Sequence, residues 1–255
     1  MSIYDLFNIQ GCTALITGAG RGIGRVIAYT MAEAGCMVAL LGLHRENLEK
    51  VAGELGGKCE KILVLPADVS RRDEIDASFQ QVESTFGRLD ICINNAGVSQ
   101  QVPAEDISEA DWERIIDVNL KGVFLCCQAA ARLMIPKKSG TIINIGSISA
   151  SAVNVPQKQA VYNASKAGVV MLSRSLAVEW APHGIRVNSL SPGYIETEMT
   201  RSTMSHLFPV WRELIPMERL GKPDDLRGAL LYLASDASVY MTGHDMIVDG
   251  GYMAR

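Results

Sequence analysis

Four glycines fall within seven residues, Gly18-Ala19-Gly20-Arg21-Gly22-Ile23-Gly24, directly after a short apolar run over 12–17. A helical pattern follows to about Gly35. A strand, a glycine turn and a helix in that order leave few folds open. Glycine lets the backbone approach a pyrophosphate, and the N-terminus of the helix offers it free N–H groups. The strict G-x-G-x-x-G spacing is absent: counting from Gly18, the third glycine position is Ile23, and the pattern reads Thr-Gly-x-x-x-Gly-x-Gly. A tight turn without a ligand would also use glycine. Four in seven residues after a strand favour a phosphate site.

Further apolar runs at 37–41, 62–65, 91–93, 141–145, 186–190 and 246–248 predict six more strands. Helical patterns at 44–55, 72–86, 111–118, 120–134, 159–181 and 226–234 alternate with them. The strands are continuous apolar runs without polar alternation, as in a parallel sheet covered on both faces. Right-handed crossovers then give an α/β, doubly wound, Rossmann-type sheet of seven parallel strands with helices on both faces. Its ligand crevice lies at the carboxyl ends of the strands. Polar and glycine-rich segments fall there: Asp68-Val69, Asn94-Asn95-Ala96-Gly97, Ser147 and Pro192-Gly193. With no linker or repeat, residues 1–255 read as a single domain. The segment 197–216 holds Met199, Met204, Leu207, Phe208 and Trp211 between polar residues and is expected to form a helical substrate lid.

Tyr162 and Lys166 are four apart in a helical segment, so they share a face. A tyrosine hydroxyl is a poor base near neutral pH, and a nearby ammonium is expected to lower its pKa. The pair then suits general acid/base chemistry on a hydroxyl proton.

Composition narrows the partners. The formal charge of −4 gives no basic surplus for nucleic acid. No apolar run approaches the ~20 residues that span a membrane. Asp5 and Asn8 near the start, without basic residues, argue against a signal peptide. The six cysteines form no C-x-x-C pair, which points to a reducing cytoplasm. His44, His183, His206 and His244 show no ligand spacing, so no metal is expected.

Taken together, these motifs resemble the short-chain dehydrogenase/reductase family over essentially the whole chain. The resemblance implies NAD(P)-dependent hydride transfer between a secondary alcohol and a ketone. It implies Tyr162 as the acid/base, Lys166 as its modulator and ribose ligand, Ser147 as the hydrogen-bond donor to the substrate oxygen, and Asn119 as the anchor of a water linked to Lys166. Asn119 could equally cap the helix that starts near Leu120. Gly18, Gly22 and Gly24 would hold the pyrophosphate, with Arg21 and Ile23 in the same turn. Asp68 and Val69 would meet the adenine, Asn95, Ala96 and Gly97 the adenosine side, and Pro192, Gly193, Ile195 and Thr197 the nicotinamide end.

The stretch Val153-Asn154-Val155-Pro156-Gln157 looks like the branch that acts on sugar alcohols and ketoses, with Asn154 and Gln157 offered to substrate hydroxyls. A 3-oxoacyl-acyl-carrier-protein-type ketoreductase and a non-catalytic dinucleotide-binding regulator stay open. NADP is favoured over NAD, because Gly42 stands where an acidic residue would repel a 2′-phosphate, and Arg21 and Arg45 could approach it. The resemblance also implies a homotetramer.

Overall fold

The computed structural model describes residues 2–255. Seven parallel strands form one sheet: β1 Thr13–Thr17, β2 Met37–Gly42, β3 Ile62–Pro66, β4 Ile91–Asn94, β5 Gly140–Ile145, β6 Ile185–Pro192 and β7 Asp245–Val248. The order is β3-β2-β1-β4-β5-β6-β7, so the direction of winding switches between β1 and β4. In register, Leu15 lies beside Ala39 of β2 and Cys92 of β4.

Successive strand residues point to opposite faces, and here both faces are covered. Ala14, Ile16, Val38 and Leu40 pack with Ile27 and Met31 of α1 (Gly22–Glu33), Leu48 of α2 (Arg45–Leu55) and Leu230 of α9 (Arg227–Ala234). Leu15, Ala39 and Leu41 pack with Phe79 of α3 (Arg72–Phe86), Cys127 of α5 (Gly122–Met134) and Val169 of α6 (Ala160–Trp180). Two apolar layers, one on each side, explain why the strands carry no polar alternation.

One helical boundary differs from expectation. The separate helices predicted on either side of Asn119 are joined: α4 (Glu109–Ile116) runs through a π-turn at Asp117–Lys121 straight into α5. The stretch Glu109–Lys137 is thereby long and apolar enough, by length and composition, to cross a membrane, although no single apolar run in the sequence suggested it. Its apolar side is used in the fold, where 56% of its most apolar window is buried.

Segment 197–216 is helical, as α7 (Glu198–Met204) and α8 (Phe208–Leu214). Leu207, Phe208, Trp211 and Ile215 form a third apolar cluster with Ile148, Tyr194 and Tyr252, set over the carboxyl end of the sheet.

Candidate active site

The glycine turn is held against the next strand of the crevice. Thr17 Oγ1 accepts the N–H groups of Asn95 and Ala96 at 2.9 and 3.0 Å. Asn95 Nδ2 donates back to the carbonyls of Thr17 and Gly18 at 3.0 and 3.2 Å. Gly18 and Gly22 adopt φ of +64° and +55°, which side chains rarely tolerate, and a Cβ on Gly24 would collide with the Gly18 carbonyl. Arg21 precedes α1 without a side-chain cap, and the first turn of α1 holds no acidic residue. Its leading N–H groups therefore remain open for an anion. This cradle fits the pyrophosphate of a dinucleotide.

One cavity of about 570 Å³ runs from this turn along the strand ends. Gly18, Arg21, Gly22, Ile23 and Gly24 line it from the first turn, and Asp68 and Val69 from the end of β3. Asn95, Ala96 and Gly97 follow from β4, and Pro192, Gly193, Ile195 and Thr197 from β6. Arg45 does not line it. Its guanidinium reaches back to Glu49 at 3.3 Å on the exposed side of α2, a pairing open to residues four apart on one helix. The wall beyond Gly42 is made instead by Leu43, His44 and Asn47.

Tyr162 and Lys166 lie one turn apart in α6, and Ser147 follows β5 on the same cavity wall. The geometry differs from the expected pairing. Lys166 Nζ stands 5.7 Å from the Tyr162 ring centroid and donates to the Ile145 carbonyl at 2.7 Å. Burial pushes the Tyr162 phenol above its ordinary value, and the Ser147 hydroxyl pulls it partly back. Burial likewise pushes Lys166 down to about 8. The same desolvation that disfavours a phenolate disfavours the ammonium.

Asn119 is fully buried behind this pair. Its amide pairs with both backbone groups of one residue: Oδ1 accepts the Val98 N–H at 2.8 Å, and Nδ2 donates to the Val98 carbonyl at 2.9 Å and to Ser165 Oγ at 3.0 Å. Because the helix is continuous here, Asn119 is not an N-cap. A Cβ on Gly97 would touch Asn119 Oδ1 at 3.4 Å and Lys166 Nζ at 3.7 Å, so the strand-end loop passes close to both.

On the far side, Ser147 Oγ donates to Ser149 Oγ at 3.0 Å. Ser149 Oγ in turn donates to Asn154 Oδ1, and Asn154 Nδ2 donates to the Tyr194 hydroxyl at 3.2 Å. Gln157 Nε2 also reaches that hydroxyl, at 3.3 Å, while its Oε1 accepts from Trp211 Nε1 at 3.3 Å. Tyr194 and Trp211 stack with centroids 4.3 Å apart. Asn154 and Gln157 therefore line the cavity with their amides already engaged. Trp211 was expected in the lid, but nothing in the sequence placed Tyr194 beside these amides.

A family model described as enoyl-(acyl carrier protein) reductase matches residues 18–253. A short-chain type dehydrogenase/reductase from Mycobacterium marinum superposes with a TM-score of 0.97 at 44% identity, each chain covered in full. This chain belongs to the short-chain dehydrogenase/reductase family. Relatives within the family include a galactitol 2-dehydrogenase of Rhizobium johnstonii, 41% identical and covering 99% of both chains. A sorbose reductase of Schizosaccharomyces pombe is 44% identical over 98% of this chain and 99% of its own. As a short-chain dehydrogenase/reductase, the protein is an NAD(P)-dependent oxidoreductase acting on CH–OH groups.

Proposed function

We propose that the protein interconverts a sugar alcohol and the corresponding ketose, with NADP preferred over NAD. The observation that carries this reading is the hydrogen-bonded wall of Ser149, Asn154, Gln157 and Tyr194, which continues directly from Ser147 along the cavity. A chain of hydroxylated carbons is the ligand such a wall suits, and a site built on hydrogen bonds rejects analogues that lack hydroxyls. The named activities of the galactitol and sorbose relatives point the same way.

When bound, the cofactor supplies the nicotinamide that gives or takes hydride. The rest is done by the protein. Tyr162 passes a proton to the carbonyl oxygen in reduction and takes it back in oxidation. Lys166 holds the nicotinamide ribose and offsets the charge of the phenolate as it forms. Ser147 turns its hydroxyl from Ser149 to the substrate oxygen, where charge develops. Asn119 fixes the loop at Val98 and anchors a water that links Lys166 to solvent. Ser147, Asn154, Gln157 and Tyr162 form the substrate side, and segment 197–216 serves as the lid.

NADP preference is supported by the absence of a carboxylate at Gly42, Leu43 and His44, and by Arg21 on the cavity wall. Arg45, paired with Glu49, stands off the cavity wall. The reading places the enzyme in the cytoplasm, acting on a small alcohol or ketone, with no nucleic-acid or membrane partner.

A substrate panel followed by nicotinamide absorbance tests this. At least one pentitol or hexitol should exceed an acetoacetyl thioester in kcat/KM, and NADP should exceed NAD. Tyr162→Phe should lower kcat by about 10²–10⁴-fold while the cofactor Kd stays within about threefold. A preference for the thioester would replace this reading with that of a 3-oxoacyl reductase. Cofactor binding without turnover on any substrate would make the protein a regulator.

A further inference from the structure

Tyr194 follows the Pro192-Gly193 turn at the end of β6 and brings a buried phenol to the cavity wall. Two amide donors, Asn154 Nδ2 and Gln157 Nε2, point at its oxygen. Neither amide is free to turn round. Asn154 Oδ1 is held by Ser149 Oγ and by Gln159 Nε2 at 3.2 Å, and Gln157 Oε1 is held by Trp211 Nε1. A phenol oxygen accepts through its lone pairs and donates one proton. With the acceptor side taken by two N–H groups, the proton is left for a partner, and its neighbour in this structure is the Tyr252 hydroxyl.

The ring cannot swing away either. Trp211 stacks on one face, and Tyr252 meets the ring edge-on with centroids 5.3 Å apart. Burial, foremost, pushes the Tyr194 phenol up to about 12, with the neighbouring Tyr252 acting in the same direction, so the group stays a protonated donor through the neutral range.

We propose that Tyr194 is a substrate-recognition residue, whose hydroxyl donates to a hydroxyl oxygen on the carbon chain of the polyol, beyond the carbon held between Ser147 and Tyr162. The inference rests on the polyol reading above and deepens it. Three hydrogen bonds separate Ser147 from Tyr194, through Ser149 and Asn154. A polyol carries a further hydroxyl oxygen for that phenol, and a mono-alcohol has none. Tyr194 thus measures whether the alcohol continues as a polyol. Asn154 and Gln157 act through it by fixing which way its proton points.

The experiment compares galactitol and D-arabinitol with 2-butanol in wild type, Tyr194→Phe, Asn154→Asp and Tyr252→Phe. Two quantities are read: the ratio of kcat/KM for polyol over mono-alcohol, and the calorimetric Kd of the polyol for the dead-end complex with reduced cofactor. Tyr194→Phe should lower the ratio at least about tenfold and weaken the Kd by a similar factor, within the range set by one lost hydrogen bond to a substrate hydroxyl. Asn154→Asp replaces a donor with a carboxylate that accepts the phenol proton. It should produce the same loss with the phenol still present, which keeps the test decisive if Tyr194→Phe folds poorly. Tyr252→Phe should retain the ratio.

An unchanged ratio in Tyr194→Phe or in Asn154→Asp overturns the proposal. So does an equal fall for polyol and mono-alcohol, which would make the phenol part of the wall only. A collapse in Tyr252→Phe would give the role to that phenol instead. A wild type without any polyol preference removes the functional reading itself, and this is seen before any variant is made.

Discussion

Lys166 is a charge kept where water scarcely reaches, at 5% exposure, with one carbonyl as its hydrogen-bond partner. Its folded pKa, about 8, lies below the value of about 10.4 expected when unfolded. Below pH 8 both states carry the proton, and the fold bears the full cost of the buried ammonium. Between about 8 and 10.4 the unfolded chain binds more protons, so native stability rises with pH. Above that window both are neutral and the cost is gone. Lys166→Met should therefore be more stable than wild type at pH 7, by on the order of 1–3 kcal/mol after the lost hydrogen bond is counted. The advantage should vanish by about pH 10.5. Urea unfolding at several pH values measures it, and a difference that stays constant across the window would refute the assignment.

The helices leave apolar surface that the sheet does not use. Met171 and Val178 of α6 are 57% and 79% exposed, and Phe124 of α5 and Trp112 of α4 also face outward. At the sheet edge, β7 has β6 as its one partner, and Ile247 is exposed beside it. Exposed apolar faces of this kind mark association surfaces, and an unpaired strand edge is a template for another chain. We expect a homotetramer in which α5 and α6 pair across one two-fold axis and β7 builds a second. Light scattering should give a mass near four chains. A mass of one chain would dismiss the arrangement, and a mass of two would leave one of the surfaces without a partner.

Across the whole molecule, what could be read from the sequence was whatever repeats locally. The strands showed as apolar runs because both faces of each are covered, and Tyr162 and Lys166 showed as a pair because four residues make a helical turn. The Arg45–Glu49 pair has the same spacing, and Arg45 lies off the cavity wall. The wall of Asn154, Gln157, Tyr194 and Trp211 draws on a loop, a strand end and a helix up to 57 residues apart, so no local pattern could assemble it. The π-turn at Asn119 escaped because helical periodicity does not register one extra residue. That turn, with α5 behind it, also parts the molecule. The glycine turn itself and the ends of β2 and β3 come before it, and the wall of Ser149, Asn154, Gln157 and Tyr194 comes after Ser147. On the proposed function, nucleotide preference and substrate preference would be written in separate stretches of the gene. A chimera with a relative, joined within α5, should keep the NADP-to-NAD ratio of its first parent and the substrate ranking of its second. If the nucleotide ratio instead followed the second parent, the two traits would have to evolve as one.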